Sequence, residues 1–359
     1  MVAARPRGIV GRQFTRVAHV ATSSREGGVG GSLAPHLGSI YLGRHHVEFR
    51  WVRATQRPCR SGRVQIENTL IDDTFAEAFG MRFARLIVTA ADEHWLDAAV
   101  REFTGYSSSV IACDAETGVE KRLSPGETPD GRIGVSLLVF GFSTDALAKS
   151  VPNRVGQCLM TCPSTAVYSG LPVTEAKIPL GKHIRFFGDG FQKSKQVAGV
   201  RYWRIPVMDG EFLVQDSLGI ERGVAGGNII LQTVTQTQGL TAARRGVEAI
   251  QKVDGVITPF PGGVARSGSK VGSRYKGLKA STADAFCPTL RGRVESKLHP
   301  DANCAYEIVI DGISEAAVGA AMAAAMRAAA GDGVVQIGAG NYGGKLGKFQ
   351  FHLHKLLAS

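Results

Sequence analysis

The stretch Cys304–His354, CAYEIVIDGISEAAVGAAMAAAMRAAAGDGVVQIGAGNYGGKLGKFQFHLH, decides how the rest of the chain is read. Cys304 to Ile310 is a short run rich in β-branched residues, hence a strand, with one carboxylate, Glu307, in its middle. Asp311-Gly312 turns the chain, Ser314 is the expected N-cap, and an alanine-dominated helix runs from Glu315 to Ala330 before Gly331 ends it. Its small side chains let backbone approach backbone. Val334 to Gly338 is the next strand, Ala339 to Gly347 a glycine-rich turn, and Lys348 to His354 an alternating final strand. Alternation puts Ala305, Glu307 and Val309 on one face and Tyr306, Ile308 and Ile310 on the other. An acid inside a strand either faces water or sits in a low-dielectric pocket, and only the second gives it acid–base chemistry near neutrality. Sequence alone favours the solvent-facing acid, although the apolar company of Glu307 leaves burial open.

The same grammar recurs upstream. Asn228 to Thr235 reads as a strand, Thr241 as the cap of a helix, and Val256 to Pro259 as a strand after Asp254-Gly255. Further back, Asp72 or Asp73 caps a short expected helix, TFAEAFGM, before a strand from Phe83 to Ala90. Asp92 caps a helix to Thr104, Ser108 to Cys113 and Ile133 to Gly141 are strands, and a helix starts at Thr144, with Pro152 expected to kink or interrupt it. Cys158 to Thr161 closes this unit. Two β-α-β-β-α-β units predict an α+β chain of two ferredoxin-like (βαββαβ) lobes, residues 64–221 and 222–359. Between them, HIRFFGDGFQ and RYWRIPVMDGEFLVQD look like extended hairpin pieces with Gly-Asp-Gly and Asp-Gly corners.

Composition bounds the function. The 359 residues are 44% hydrophobic and contain no apolar run that suits a membrane span, which predicts a soluble protein with no membrane partner. Six cysteines, single apart from Cys158 and Cys162, give no disulfide framework or paired zinc motif and suit the cytoplasm; buried thiols are the expected state of that pair. The net charge of +11 is uneven: residues 1–63 hold 11 Arg and no Lys against Glu26 and Glu48, or +9, so the rest carries only +2. A near-neutral body argues against nucleic acid as a partner. Residues 1–63, rich in Arg, Gly, Ser and His without a sustained period, read as a disordered basic extension. A transit peptide, a basic tail for RNA or an acidic partner, and upstream sequence from a misplaced start compete; the abrupt break at Arg63 favours the last.

No P-loop, Rossmann fingerprint, G-x-S-x-G elbow or HExxH motif is present. What remains is a set of glycine-rich corners, FFGDGFQ, GVAGGN, FPGG, SGSKVGSR and AGNYGGKLG, where backbone amides can approach a ligand without interference from a Cβ. Each is also an ordinary turn when taken singly. Between Gly262 and Gly277 stand Arg266, Lys270, Arg274 and Lys276 without an acid, which is a solvated basic loop or a grip for an anionic tail. His352 and His354 share a face of the expected last strand, yet the nearby sequence supplies no third ligand, so no metal site is expected.

From about Ile66 onward the chain resembles the formylmethanofuran:tetrahydromethanopterin formyltransferases, in particular the form found in bacterial formyltransferase/hydrolase complexes. The resemblance rests on DDTFAEAF, ETPDGR, RVGQCLMT, FFGDGFQ, VAGGN, PFPGG, SKVGS, ASTADAFCPT, YEIVI, AGNYGGKLG and HLH, in that order. It implies two ferredoxin-like lobes in a homo-oligomer, alongside other subunits of a formyltransferase/hydrolase complex. It implies formyl transfer between N5 of tetrahydromethanopterin and the amine of a methanofuran-type coenzyme, with both coenzymes as substrates and no tightly bound cofactor. Glu307 of the YEIV strand becomes the expected acid/base. Substrate-binding groups are expected at Asp189, Gln192, Gly226, Gly227, Asn228, Gly262, Gly263, Lys270, Ser273, Asn341 and Lys345, with the oxyanion held by amides at Gly226-Gly227 or Gly262-Gly263. The rival reading is a non-catalytic assembly subunit of such a complex.

Overall fold

The structure, a computed structural model, describes residues 39–42, 45–48 and 64–358. The chain divides into two units, Met1–Cys59 and Arg60–Ser359. In the first, Ser39–Leu42 pairs antiparallel with His45–Glu48. The disorder expected of the remainder of residues 1–63, and the reading of that segment as upstream sequence, lie outside the described residues.

The second unit is α+β, built on one large mixed sheet with helices against it. Its first half runs Phe75–Thr89, helix Glu93–Thr104, Glu116–Leu123, Gly134–Gly141, helix Thr144–Arg154 and Ala166–Ser169. Across the sheet the strands lie as Ala166–Ser169, Phe75–Thr89, Gly134–Gly141, Glu116–Leu123, each antiparallel to its neighbour. Its second half runs Glu221–Thr233, helix Gln236–Ile250, Val256–Ile257, Cys304–Gly312, helix Glu315–Ala329 and Val334–Gly338. These strands repeat the order: Val334–Gly338, Glu221–Thr233, Cys304–Gly312, Val256–Ile257, again antiparallel throughout. The two halves join where residues 79–83 of the first long strand pair with residues 221–225 of the other. Met81, Phe83, Leu138, Phe140, Ala225 and Ile257 fill the apolar seam there.

Several local expectations are corrected. TFAEAFGM is not a helix: it belongs to the 15-residue strand Phe75–Thr89, because its residues are paired with Phe349–His352 and with residues 221–225, and these ladders override the helix propensity of Ala and Glu. The run from Ser108 to Cys113 is not a strand. The strand is Glu116–Leu123, whose polar sequence hid it; Glu120 is buried there in an ion pair with Arg85 at 2.6 Å. Thr235, not Thr241, caps its helix, accepting from Gln238 N at 3.3 Å. Pro152 sits in the last turn of Thr144–Arg154, where the chain widens into a π-helical turn over Val155–Leu159 that loses few backbone bonds to the missing N–H. In the joint, HIRFF is helical, over Leu180–Ile184 and Arg185–Gly188, whereas Val200–Val207 and Gly210–Gln215 form the expected hairpin.

The alanine helix behaves as its composition implies. Ser314 caps it, accepting from Ala317 N at 3.2 Å, and its buried face packs on the strand Glu221–Thr233 so closely that a Cβ at Gly227 would stand 2.3 Å from Val318 Cγ1. Only glycine tolerates that approach. Tyr306, Ile308 and Ile310 pack into this helix-side core with Ile229 and Leu231. Glu307 therefore faces the other side of the sheet. Among the described residues no helix is long and apolar enough to cross a membrane.

Candidate active site

The helix-free face around Glu307 is not left to water. After Val256–Ile257 the chain makes a long excursion over residues 258–303 and folds back across this face. Ala265 pairs with Glu307 as an added rung, donating to its carbonyl at 2.8 Å and accepting from its N–H at 2.9 Å. Together with Ile230, Gly268, Ala283 and Phe286 this lines a half-open pocket of about 30 Å³ beside the carboxyl, room for about one water molecule. Glu307 is half-buried rather than freely solvent-facing: a non-local segment, invisible to strand alternation, packs beside it.

Glu307 carries no side-chain hydrogen bond to any described residue, and burial pushes its carboxyl up to about 7. Two glycines border it. A Cβ at Gly268 would stand 3.6 Å from Oε2 and one at Gly340 3.6 Å from Oε1, so both keep the approach to the carboxyl narrow in backbone but free of side chains.

Asn228 lies on the strand next to Glu307's, opposite Val309. Its Oδ1 accepts from Gly340 N at 2.6 Å, and its Nδ2 donates to Gly340 O at 3.2 Å and to Gly226 O at 3.1 Å. Gly226, at φ 90°, occupies the bulge where the register shifts between Val224 and Gly227, and its N–H is donated to Asp311 Oδ1 at 2.9 Å. Gly227 faces the alanine helix, away from Glu307. Asn341 is engaged with Thr74 Oγ1 at 3.2 Å and Phe75 O at 3.0 Å. The remaining expected residues are less central. Gly262 and Gly263 form a tight turn just before Ala265, with Gly263 N–H donated to Phe260 O at 2.7 Å. Lys270 is ion-paired with Asp284, Ser273 Oγ accepts from Tyr275 N at 3.1 Å, and Lys345 is exposed. Asp189 and Gln192 stand apart in the joint: their turn leads into the sheet's edge strand Lys193–Val197, with Val200–Val207, Gly210–Gln215, Ala166–Ser169, Phe75–Thr89 and Glu221–Thr233 between it and the strand of Glu307.

Three features escaped the sequence reading. Glu77, 1 % exposed, accepts N–H bonds from Tyr342, Gly344, Leu346 and Gly347; burial pushes its carboxyl up, but these four donors outweigh it and hold the group below the ordinary carboxylate range. At the seam between the halves, Asp311 is fully buried beside Glu116, and burial followed by the neighbouring carboxylate raises Asp311 well above its ordinary value. Burial likewise raises Glu116. The signal available for Glu77 was DDTFAEAF, whose acid in an apolar alternation was assigned to a helix.

The histidines are also corrected. The last strand stops at His352, and His354 lies in helix Leu353–Ala358 with Nε2 donating to Ile71 O at 2.9 Å, so they do not share a strand face. Cys158 and Cys162 are half-buried, and burial raises both thiols. No cluster of three or more His, Cys, Asp or Glu among the described residues is placed to hold a metal ion.

Comparison with known proteins bears on this site as a whole. Residues 64–207 match the family described as formylmethanofuran-tetrahydromethanopterin formyltransferase, and residues 210–356 match the one described as FTR, proximal lobe. The formylmethanofuran–tetrahydromethanopterin formyltransferase of Methylococcus capsulatus is 52% identical over 297 residues, which cover 82% of this chain and 99% of that protein. A subunit of the formyltransferase/hydrolase complex of Methylorubrum extorquens is 48% identical over 297 residues, covering 80% and 95% respectively. Among solved structures, the Methanosarcina barkeri formyltransferase has a TM-score of 0.78 at 45% identity, covering 82% of this chain and 100% of that one. The Methylorubrum extorquens complex solved with methylofuran also has a TM-score of 0.78, at 48% identity, covering 80% of this chain and 97% of its matched chain. With both halves matched and nearly the full length of these relatives spanned, the chain belongs to the formylmethanofuran–tetrahydromethanopterin formyltransferase family.

Proposed function

We propose that this chain transfers a formyl group between N5 of tetrahydromethanopterin and the amine of a methanofuran-type coenzyme, with Glu307 as its acid and base. The observation that carries the assignment is an unpartnered carboxyl, poised near neutrality by burial, in a glycine-bordered pocket. The reaction needs such a group. The neutral amine attacks the formyl carbon, one C–N bond forms, the C–N bond to N5 breaks, and one proton leaves the attacking nitrogen and arrives at N5. A carboxyl near 7 is half protonated at neutral pH, so it serves as acid in one direction and base in the other. No serine or cysteine nucleophile is required.

The developing oxyanion needs donors that are not already spent. Gly226 N–H is bonded to Asp311, Gly227 lies in the ladder opposite Ile310 on the face of the alanine helix, and Gly263 N–H is bonded to Phe260, which leaves Gly262 as the proposed donor. The anionic coenzyme tails are assigned to Arg266, Arg274 and Lys276; Lys270 is already neutralised by Asp284. The repeated strand order and the family match support two ferredoxin-like lobes, residues 64–221 and 222–359. A homo-oligomer in the cytoplasm, and association with hydrolase subunits as the Methylorubrum relative's name describes, complete the proposal.

The test is formyl exchange between the two coenzymes by the purified full chain and its Glu307→Gln variant. Turnover should fall by about 10² or more, the usual effect of removing an acid/base group. Wild-type turnover in the folded variant removes Glu307 from the mechanism. A wild type that is inactive both alone and with hydrolase subunits supports the assembly-subunit alternative instead.

A further inference from the structure

Gly340 borders the Glu307 carboxyl, and the loop it opens, residues 340–347, is fastened from two sides by side chains on neighbouring strands. From the strand Phe75–Thr89, Glu77 gathers four of the loop's amides: Tyr342 N at 2.8 Å and Gly344 N at 2.9 Å on Oε2, Leu346 N at 2.5 Å and Gly347 N on Oε1. Glu77 also donates its own backbone N–H to Gly340 O at 3.2 Å. From the strand Glu221–Thr233, Asn228 takes Gly340 N on Oδ1 and gives Nδ2 to Gly340 O. Both polar groups of Gly340 are thus occupied, and its peptide orientation is fixed where it borders Glu307 Oε1.

This arrangement is more than loop closure. Ala76 and Ala78 pack into the helix-side core, which turns Glu77 to the same side of the sheet as Glu307. A buried carboxylate spent entirely on neutral amides is costly unless those amides must be held, and the six residues 342–347, three of them glycines, have little side-chain packing of their own to hold them. A Cβ at Gly347 would meet Glu77 Cγ at 2.6 Å and Ala78 O at 2.6 Å, so the loop is seated directly on that strand.

We propose that Glu77 and Asn228 act as a two-sided clamp on residues 340–347 and are positioning residues for Glu307 in formyl transfer. The inference rests on the formyl-transfer reading above. Displacement of a group beside the reacting atoms by about 1 Å can cost about 10² in rate without abolishing binding. The clamp therefore belongs to kcat more than to KM.

The experiment uses the full chain, with Glu77→Gln, Asn228→Asp, the double variant and Glu307→Gln measured side by side. Glu77→Gln presents an amide NH₂ to N–H donors, and Asn228→Asp opposes two carbonyls with a carboxylate oxygen, so each loosens one side. Expected are kcat losses of about tenfold or more in each single variant, KM for both coenzymes within about threefold of wild type, and a double variant little worse than the worse single one, because both act on one loop. Hydrogen exchange at Tyr342, Gly344, Leu346 and Gly347 should accelerate in Glu77→Gln. Wild-type kcat in either folded single variant, or fully additive losses in the double variant, overturns the clamp. If Glu77→Gln does not fold, Asn228→Asp carries the test. Loss of fold in both also overturns the positioning role, since the bonds then serve stability alone. A collapse confined to Glu307→Gln refutes only this inference, whereas wild-type activity in Glu307→Gln refutes the reading beneath it.

Discussion

Replacing Glu307 by glutamine should make the protein's stability less dependent on pH, and the size of the change follows from burial. In the folded chain the carboxyl is raised from 4.5 to about 7 by burial alone, with no compensating partner. A group whose folded pKa is raised favours the folded state fully below 4.5, where it is protonated in both states, and loses that contribution as pH rises through about 7. At about 1.4 kcal/mol per pH unit, the gap from 4.5 to about 7 is worth about 3 kcal/mol. Glutamine has nearly the same shape and never ionises. Equilibrium urea unfolding of the wild type and Glu307→Gln should therefore show a stability difference that moves by about 3 kcal/mol in favour of glutamine between about pH 4 and about pH 9, with its midpoint between the two values. The change with pH is the quantity that matters, because the desolvation of the glutamine amide is the same at every pH. A difference that stays flat across this range would refute the burial of Glu307 as an ionisable group, and with it the physical basis for an acid/base poised at neutrality.

Two further outcomes test the frame around the site. Arg154, 8% exposed, donates to the carbonyls of Phe103, Gly105 and Tyr106 and pairs with Asp114 at 2.5 Å; Arg154→Ala orphans those carbonyls and should cost about 3 kcal/mol in urea unfolding, with a loss under about 1 kcal/mol counting against this role. Asp311→Asn should match the wild type in thermal unfolding at about pH 4 and exceed it at about pH 8, because raised folded pKa values at Asp311 and Glu116 mean that stability is lost as these carboxyls ionise. An equal deficit at both pH values would show that Asp311 acts through the Gly226 hydrogen bond alone.

Features under short-range control could be read from the chain before it was folded. The strand of Glu307, the Ser314 cap, the alanine helix and Val334–Gly338 were legible because alternation, a capping hydroxyl and glycine punctuation act within a few residues. The repeated α+β order and the family motifs were legible for the same reason. Contacts between distant segments settled the rest. Phe75–Thr89 became a strand through ladders with residues far along the chain, against the helical leaning of AEA. Glu77 gained its meaning from amides 265 to 270 positions away, a separation that no local period encodes. Glu307 changed from a surface acid to a half-buried one because a long excursion, docked beside its strand at Ala265, brings Gly268, Ala283 and Phe286 against its side chain. Burial is set by what covers a residue, and a carboxyl's pKa follows that cover: the position of Glu307 could be read from its strand, but its chemistry required the fold.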